Sequence, residues 1–292
     1  MQNLRCWTRV AGLAVAMLAP QFAIGADEPF ETHYDVVYAE RDGVQLAADV
    51  YIPREGGLHP GVLVVHGGAW MMGDRDQLAE IARRLASSGF TAVAISYRLA
   101  PKHPFPSQIE DCRDAVRWMR TQAKKYKIDP TRIGGFGYSA GGHLVALLGA
   151  MGGDPDQHSA DQQATGEPQP SMRLQAVVAG GAPCDFRLLP PANQMLAYWL
   201  GGSRAEQPDN YKLASPAQFV SRDDPPMFFF HGEKDAVVPL LSPVAMNVLL
   251  KLAGVPSQVF TVAGAGHIGA AHDEQALAAA FEFFQVHLQQ ED

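Results

Sequence analysis

The sequence predicts an α/β fold with a mostly parallel, eight-stranded sheet and helices on both faces. Short apolar runs such as residues 62–65 are typical of strands that are buried on both sides. Helical patterns alternate with these runs, and such alternation produces right-handed crossovers between parallel strands. With 292 residues, 47% of them hydrophobic, the chain can bury one large core, and we expect residues 27–292 to form a single domain.

The first two strands are expected to form an antiparallel hairpin. Residues 33–40 and 44–52 alternate in polarity, are rich in Val and Tyr, and are joined by the turn sequence Arg41-Asp42-Gly43. The remaining predicted strands are short and mostly apolar. They are residues 62–65, 91–97, 132–136, 174–179, 226–230 and 258–262.

Helices are predicted where apolar residues recur at intervals of three or four. Between residues 75 and 88, Leu78, Ile81 and Leu85 share one helix face, and Gly89 is a suitable helix end. The predicted helices are residues 75–88, about 109–125, 140–151, 195–200, 244–252 and 275–288.

Three segments depart from the alternation of strands and helices. Residues 98–106 contain three prolines, so we expect an ordered loop there. Residues 152–171 are polar and rich in Gln, Asp, Gly and Pro, which is typical of a mobile surface loop. Residues 184–222 are largely irregular and are the candidate for a small lid insertion.

The N-terminus resembles a cleaved secretory signal. Arg5 and Arg9 precede an apolar run at residues 10–19, and small residues suited to signal peptidase follow at residues 23–26. The apolar run is too short to span a bilayer, so stable membrane insertion is not expected. We therefore expect residues 1–26 to be removed and the mature protein to be secreted or periplasmic.

Composition argues against several kinds of partner and cofactor. The net charge of −8 repels polyanions, so neither nucleic acid nor an anionic membrane is an expected partner. Cys112 and Cys184 lie outside the leader without the spacing of a disulfide framework; two buried thiols are favoured, although a pair stays open. No CxxC, HExxH or His/Cys cluster occurs, so we expect no metal and no other cofactor. The sequence does not indicate an oligomeric state.

The sequence Gly137-Tyr138-Ser139-Ala140-Gly141 fits the GxSxG pattern of a nucleophile elbow. A predicted strand precedes it and a predicted helix follows it, which is the context that the pattern requires. A turn this tight needs residues without a Cβ on both sides of the serine, and it leaves the serine hydroxyl accessible. Ser139 is therefore the candidate nucleophile.

A serine hydroxyl needs a general base, and the base needs an acid that holds it in the right tautomer. In this kind of fold the order along the chain is Ser, then Asp or Glu, then His. Asp235 follows the predicted strand 226–230, and His267 follows the predicted strand 258–262. We therefore predict a catalytic triad of Ser139, Asp235 and His267 on loops beyond the carboxyl ends of strands, where ligands bind in open α/β sheets.

Other residues could compete for these roles. Glu233 is an alternative acid, but it lies closer to the end of its strand. His143 lies within the elbow helix and His231 at a strand end, so both are expected to be structural. His272 and His287 are expected to be solvated.

Several further motifs accompany the elbow and the triad. They are His66-Gly67-Gly68-Ala69-Trp70, Tyr97-Arg98-Leu99-Ala100-Pro101, Phe105-Pro106, Gly142-His143, His231-Gly232-Glu233-Lys234-Asp235 and Gly264-Ala265-Gly266-His267. Together, over nearly all of the mature chain, they resemble the serine esterases of the α/β-hydrolase fold. The closest resemblance is to hormone-sensitive-lipase-like carboxylesterases and to secreted acetylxylan and feruloyl esterases.

This resemblance implies an oxyanion hole made by the backbone N–H groups of Gly68, Ala69 and Ala140, while Gly67 serves the turn. Ala69 stands where the family has glycine, and its methyl group would narrow the acyl side. Trp70 and Tyr138 are candidate substrate-binding residues, with core packing as the alternative, and the same alternatives hold for Tyr198 and Trp199.

The resemblance also implies a secreted carboxylic-ester hydrolase that forms an acyl-enzyme. Residues 27–32 are too short for the N-terminal helical cap of hormone-sensitive-lipase relatives, which favours short acyl or feruloyl esters of polysaccharide as substrates. A lipase-like carboxylesterase on short-chain esters and an arylformamidase are alternatives, whereas a peptidase of the prolyl-oligopeptidase type would need a propeller domain. The alternative that is not an enzyme is a non-catalytic binding module on a hydrolase fold.

Overall fold

The computed structural model describes residues 28–152, 170–187 and 193–289. The predicted signal peptide and most of the predicted polar loop 152–171 lie outside the described residues. Residues 188–192 of the lid candidate also lie outside them.

One eight-stranded sheet organises the described chain, in the spatial order β1-β2-β4-β3-β5-β6-β7-β8. The first two strands form the antiparallel hairpin and β2 is also antiparallel to β4; every later pairing is parallel. The predicted mostly parallel, eight-stranded sheet is therefore confirmed. The strands are β1 (Phe30–Arg41), β2 (Val44–Pro53), β3 (His59–Val65), β4 (Thr91–Ile95), β5 (Ile128–Tyr138), β6 (Ala176–Gly180), β7 (Met227–Gly232) and β8 (Ser257–Val262).

Eight α-helices are described. They are α1 (Ala79–Ser87), α2 (Ser107–Thr121), α3 (Ala140–Ala150), α4 (Gln194–Leu200), α5 (Pro208–Leu213), α6 (Leu241–Leu252), α7 (His267–Ala271) and α8 (Glu274–Phe284). Short 3₁₀ turns cover Arg75–Leu78 and Pro216–Gln218, and a π-helical turn covers Gln285–Gln289.

The sheet separates two hydrophobic cores because successive side chains of a strand point to opposite faces. In β3, Leu63 and Val65 belong to the core that is covered by α2, α3 and α6, while Val62 and Val64 belong to the core covered by α1 and α8. All four side chains are buried. The apolar run at residues 62–65 is therefore buried on both faces of the sheet, as the sequence predicted.

The hairpin forms at the predicted turn, where Asp42 and Gly43 both have positive φ angles of 51° and 71°. Two consecutive residues of this conformation match the right-handed twist of the flanking strands. The register of β1 against β2 shifts between His33 and Val36, next to Asp35 with a φ of 54°. The alternating pattern alone did not predict this irregularity.

The proline-rich segment 98–106 is an ordered loop, as predicted, and a buried ion pair fixes its start. Oδ1 of Asp111 accepts from Nη2 and Nε of Arg98 at 2.7 and 2.9 Å, and Oδ2 accepts the backbone N–H of Arg98 at 2.7 Å. Asp111 and Arg98 are both buried. Breaking such a buried pair would leave an uncompensated charge, so the loop has a rigid anchor on α2.

The structure differs from the sequence prediction in a few boundaries. The helix predicted from residue 75 begins as a 3₁₀ turn, and the helix predicted at 275–288 ends as a π-helical turn. Within the lid candidate, the described residues form α4, α5 and a 3₁₀ turn and contribute Trp199 to the core. Cys112 and Cys184 are separate buried thiols, as the sequence favoured.

Within the described ranges, no helix has the length and apolar character needed to cross a membrane. The same residues contain no group of three or more His, Cys, Asp or Glu side chains arranged to hold a metal ion.

Candidate active site

Ser139 lies at the sharp turn between β5 and α3, with a φ of 55° and a ψ of −118°. This backbone conformation is strained for a residue with a side chain, and it occurs where the surrounding chain imposes it. The glycines on either side allow the turn to close. A Cβ at Gly137 would lie 2.3 Å from the backbone of Gly141, and a Cβ at Gly141 would lie 1.9 Å from the carbonyl oxygen of Val65.

Replacing Gly141 by alanine is therefore expected to destabilise the fold. The new methyl group would collide with backbone rather than with a flexible side chain, so we expect a loss of about 3 kcal/mol or more in the free energy of unfolding. Urea denaturation would measure it. Gly57→Ala is the matched control, because an added Cβ there has no neighbour within 4 Å among the described residues. Equal denaturation midpoints for the two variants would contradict the prediction.

The three predicted triad residues come together at the carboxyl edge of the sheet. The Ser139 hydroxyl lies 2.9 Å from Nε2 of His267, and Nδ1 of His267 lies 2.6 Å from Oδ2 of Asp235. With a proton on Nδ1 that is donated to the carboxylate, Nε2 is free to accept the serine proton. His267 is the first residue of the short helix α7, where the sequence predicted a loop.

Asp235 is buried and its carboxylate is surrounded by donors. Oδ1 accepts the backbone N–H groups of Val237 and Val238, both at 2.8 Å. Oδ2 accepts from His267 and lies 3.2 Å from Nε2 of His231, which also donates to the carbonyl of Val238. These four donors fix the orientation of the carboxylate.

The alternative acid, Glu233, does not reach the histidine. Its Oε2 accepts the backbone N–H of Gly264 at 2.7 Å and so ties together the two loops that carry Asp235 and His267.

Among the other histidines, His143 and His231 are buried and His272 is exposed, as predicted. His287 is half-buried against the Phe283 ring at 4.4 Å, so its predicted solvation is wrong.

The predicted oxyanion donors lie on the loop after β3 and at the start of α3. Among the described residues, the N–H groups of Gly68, Ala69 and Ala140 have no backbone or side-chain acceptor. Gly68 has a φ of 107°, and a Cβ there would lie 2.0 Å from the carbonyl oxygen of Met72, so this position requires glycine. The sequence assigned the turn to Gly67, which instead faces Tyr138 and Ser139.

Trp70 and Tyr138, the candidate substrate-binding residues, are both buried. The Trp70 ring stacks on that of Trp199 with centroids 3.7 Å apart. The Tyr138 hydroxyl donates to the backbone carbonyl of His267. This placement favours the packing alternative for both residues, and Tyr138 supports the loop of the triad histidine.

His143 adds a titratable group to this region. Burial lowers its pKa to about 4, below the unfolded value near 6.5. Between these values the unfolded chain binds a proton that the folded chain does not, so the free energy of unfolding must fall as the pH falls.

We expect His143 to reduce the free energy of unfolding by about 2 kcal/mol between pH 7 and pH 5. Denaturant titrations across this range, for the wild type and His143→Asn, would measure the effect. The variant lacks the titrating group and should show the shallower dependence on pH. Equal slopes for the two proteins would contradict the prediction.

Sequence reasoning missed three residues around the site. His231 was expected to be structural, yet it contacts the carboxylate of Asp235, and its position four residues before that aspartate was a usable signal. Tyr138 was a substrate-binding candidate with core packing as the alternative, and its hydrogen bond to the backbone carbonyl of His267 was not predicted. The contact of Trp199 with Trp70 joins residues 129 positions apart, and no local pattern predicts it.

Comparison with known proteins agrees with this geometry. The BD-FAE family model matches residues 48–250. Two Mycobacterium tuberculosis esterases are similar: LipC is 33% identical over 71% of this chain and 52% of its own length, and LipQ is 32% identical over 67% and 46%. The chain thus spans about half the length of the curated relatives it matches.

Solved structures resemble the described chain over most of its length. A truncated carbohydrate esterase from gut microbiota has a TM-score of 0.78 and 28% identity, covering 91% of this chain and 99% of its own. A propionate-bound Thermogutta terrifontis esterase has a TM-score of 0.74 and 25% identity, covering 90% and 97%. The predicted α/β-hydrolase fold is therefore confirmed.

Proposed function

Because this chain belongs to the BD-FAE family, we propose that it hydrolyses carboxylic esters through an acyl-enzyme on Ser139, with short acyl or feruloyl esters of polysaccharide as substrates. The observation that carries the proposal is the hydrogen-bonded line from Ser139 through His267 to Asp235, beside three backbone amides that have no acceptor in the described part of the chain.

In the first half-reaction, Oγ of Ser139 bonds to the ester carbonyl carbon while its proton moves to Nε2 of His267. The amides of Gly68, Ala69 and Ala140 donate to the oxyanion. The carbon–oxygen bond to the alcohol then breaks, and the alcohol leaves with the proton from His267. In the second half-reaction, water bonds to the acyl carbon while His267 accepts its proton. The bond from this carbon to Oγ of Ser139 then breaks, Oγ takes the proton from His267, and the carboxylic acid leaves.

Three similar structures support a short acyl group and a carbohydrate alcohol. The structure with a TM-score of 0.78 is named a carbohydrate esterase, and another neighbour, covering 88% of this chain, is named a bifunctional GH43-CE protein of Bacteroides eggerthii. The Thermogutta terrifontis esterase is recorded with propionate bound, which is a short acid. These names describe those proteins, and we extend their substrate class to this chain as part of the proposal.

One observation favours a second candidate, a lipase-like carboxylesterase for longer acyl chains. Met72, on the loop after β3 (residues 66–72, called the oxyanion loop from here on), and Ile268, next to His267, are 62% and 71% exposed. Tyr198 is 63% exposed and precedes Trp199, whose ring stacks on that of Trp70. Exposed large apolar side chains around a site favour apolar ligands. A longer acyl chain would cover this surface.

The discriminating experiment is hydrolysis of p-nitrophenyl acetate, butyrate and octanoate, of methyl ferulate, and of acetylated xylan, with Ser139→Ala as the blank. Activity that falls with chain length, with release of acetate or ferulate, is expected. A preference for octanoate would replace the proposal by the second candidate. Absence of Ser139-dependent hydrolysis on every ester would overturn both and favour a binding module.

We also propose that residues 1–26 direct export and are removed. The positive charge followed by a short apolar run and small residues supports this. Expression of the full chain, followed by N-terminal mass spectrometry, should recover a protein that begins near residue 27 outside the cytoplasm. An intact N-terminus on a protein that stays in the cytoplasm would contradict it.

A further inference from the structure

The oxyanion loop contains two consecutive non-glycine residues with left-handed backbone. Ala69 has a φ of 52° and Trp70 a φ of 62°. Side chains disfavour this region, and a bulky residue such as tryptophan is a clear outlier there. Contacts from elsewhere in the chain must therefore impose the conformation, and it sets the direction of the Ala69 N–H.

The Trp70 side chain supplies such contacts, because it is buried between three other rings. Its indole stacks on Trp199 at a centroid distance of 3.7 Å and an interplanar angle of 6°. The rings of His143 and Phe186 meet its edges at 5.3 and 5.7 Å. The backbone carbonyl of Trp70 also accepts the N–H of Ala100 at 3.0 Å.

His143 provides the polar contact. Its Nε2 lies 2.7 Å from the carbonyl of Ala214 and must donate to it, so Nδ1 is left as an acceptor. Nε1 of Trp70 lies 3.2 Å from this Nδ1. His143 is four residues after Ser139 on α3, and its backbone N–H donates to the Ser139 carbonyl at 2.9 Å. The hydrogen bond thus fixes the oxyanion loop relative to the helix that carries the nucleophile.

Trp199 is itself rigidly held, although it belongs to the lid candidate. It is completely buried, its Nε1 donates to Oε1 of Gln108 at 3.0 Å, and its carbonyl accepts the N–H of Phe105 at 2.8 Å. Helix α4 therefore cannot shift without disturbing the ring that Trp70 stacks on.

We propose that Trp199 and His143 are positioning residues, which hold Trp70 and through it set the direction of the Ala69 amide in the oxyanion hole. The proposal rests on the proposed function, because it assumes that this amide receives an oxyanion. It assigns to α4 a part in the reaction that does not require contact with the substrate.

The test uses two pairs of variants in the full chain: Trp199→Leu with Trp199→Phe, and His143→Leu with His143→Asn. In each pair the first member removes the contact, whereas Phe retains a ring and Asn retains an acceptor near the position of Nδ1. Trp118→Leu is the control, since Trp118 packs on Tyr126 at 5.0 Å in a contact outside this cluster. Thermal denaturation would establish the folded fraction of each variant.

Three quantities are measured: kcat and KM for p-nitrophenyl butyrate, and the rate constant for Ser139 labelling by a fluorophosphonate. Complete loss of an oxyanion donor costs about 10²- to 10³-fold in kcat, so misalignment should cost Trp199→Leu at least about tenfold. We expect KM within about twofold of wild type, an equal loss in the labelling rate, and substantial recovery in Trp199→Phe and His143→Asn.

A kcat for folded Trp199→Leu or His143→Leu that equals that of Trp118→Leu would overturn the proposal. If Trp199→Leu does not fold, Trp199→Phe and the His143 pair carry the same comparison. If the wild type is labelled but hydrolyses no ester, the proposed function fails, while the labelling rates still decide whether Trp199 and His143 position the loop.

Discussion

Ser139→Ala is expected to reduce kcat for ester hydrolysis by about 10⁶-fold, because loss of a triad serine removes the nucleophile and leaves only binding and the oxyanion donors. The fold should tolerate the change, since alanine keeps the Cβ and the elbow glycines remain. Hydrolysis of p-nitrophenyl acetate by the purified variant would measure it, with mass spectrometry to exclude wild-type contamination.

Ser88→Ala is a suitable control for this variant. Ser88 follows α1 and precedes β4, so it lies at the opposite edge of the sheet from Ser139. Its hydroxyl donates to the carbonyl of Arg84 at 2.9 Å and has no part in the triad. Wild-type rates are expected from Ser88→Ala, whereas residual activity of more than a few per cent in Ser139→Ala would mean that another residue is the nucleophile.

The second large effect is expected from Asp235→Asn, at about 10⁴-fold in kcat. The N–H groups of Val237 and Val238 both point at Oδ1, so they would select the carbonyl oxygen of the asparagine at that position. The amide NH₂ would then replace Oδ2 and face Nδ1 of His267. His267 would have to carry its proton on Nε2 and could no longer accept the proton of Ser139.

Glu233→Gln is the matched control for Asp235→Asn. It makes the same chemical change two residues earlier, at a carboxylate that binds only the backbone N–H of Gly264 among the described contacts. We expect kcat within about twofold of wild type for this surface change. The reverse ranking of the two variants in a p-nitrophenyl acetate assay would assign the acid to Glu233.

The chemistry-bearing positions could be predicted because they follow local rules. GxSxG specifies its own turn, and the acid and base follow β7 and β8 in a set order, so Ser139, Asp235 and His267 could be predicted as a triad without tertiary information. The structure places both Ser139 and Asp235 within hydrogen-bond distance of His267. The strands that precede these three residues could also be predicted, because each is a short apolar run. Their bounds were less accurate, since the alternating pattern does not specify the register shift near Asp35.

The supports of the site could not be predicted, because they depend on packing between segments that are distant in sequence. Trp70 was recognised within its motif, but its partner Trp199 lies in a segment without a clear pattern. His143 was correctly expected to be structural. Its tautomer could not be predicted, because it follows from the position of the Ala214 carbonyl, which is distant in sequence. Contacts between segments that are distant in sequence, such as that of Trp70 with Trp199, follow no spacing rule.

The three candidate oxyanion donors of this protein are backbone amides, and this has a consequence for its evolution. No single side-chain substitution can delete a main-chain N–H, apart from a change to proline. Selection can therefore alter Met72, Tyr198 and Ile268, the exposed apolar residues around the site, to suit a new ester while the amides that would stabilise the reaction are inherited unchanged. Substrate preference is free to diverge faster than the reaction itself.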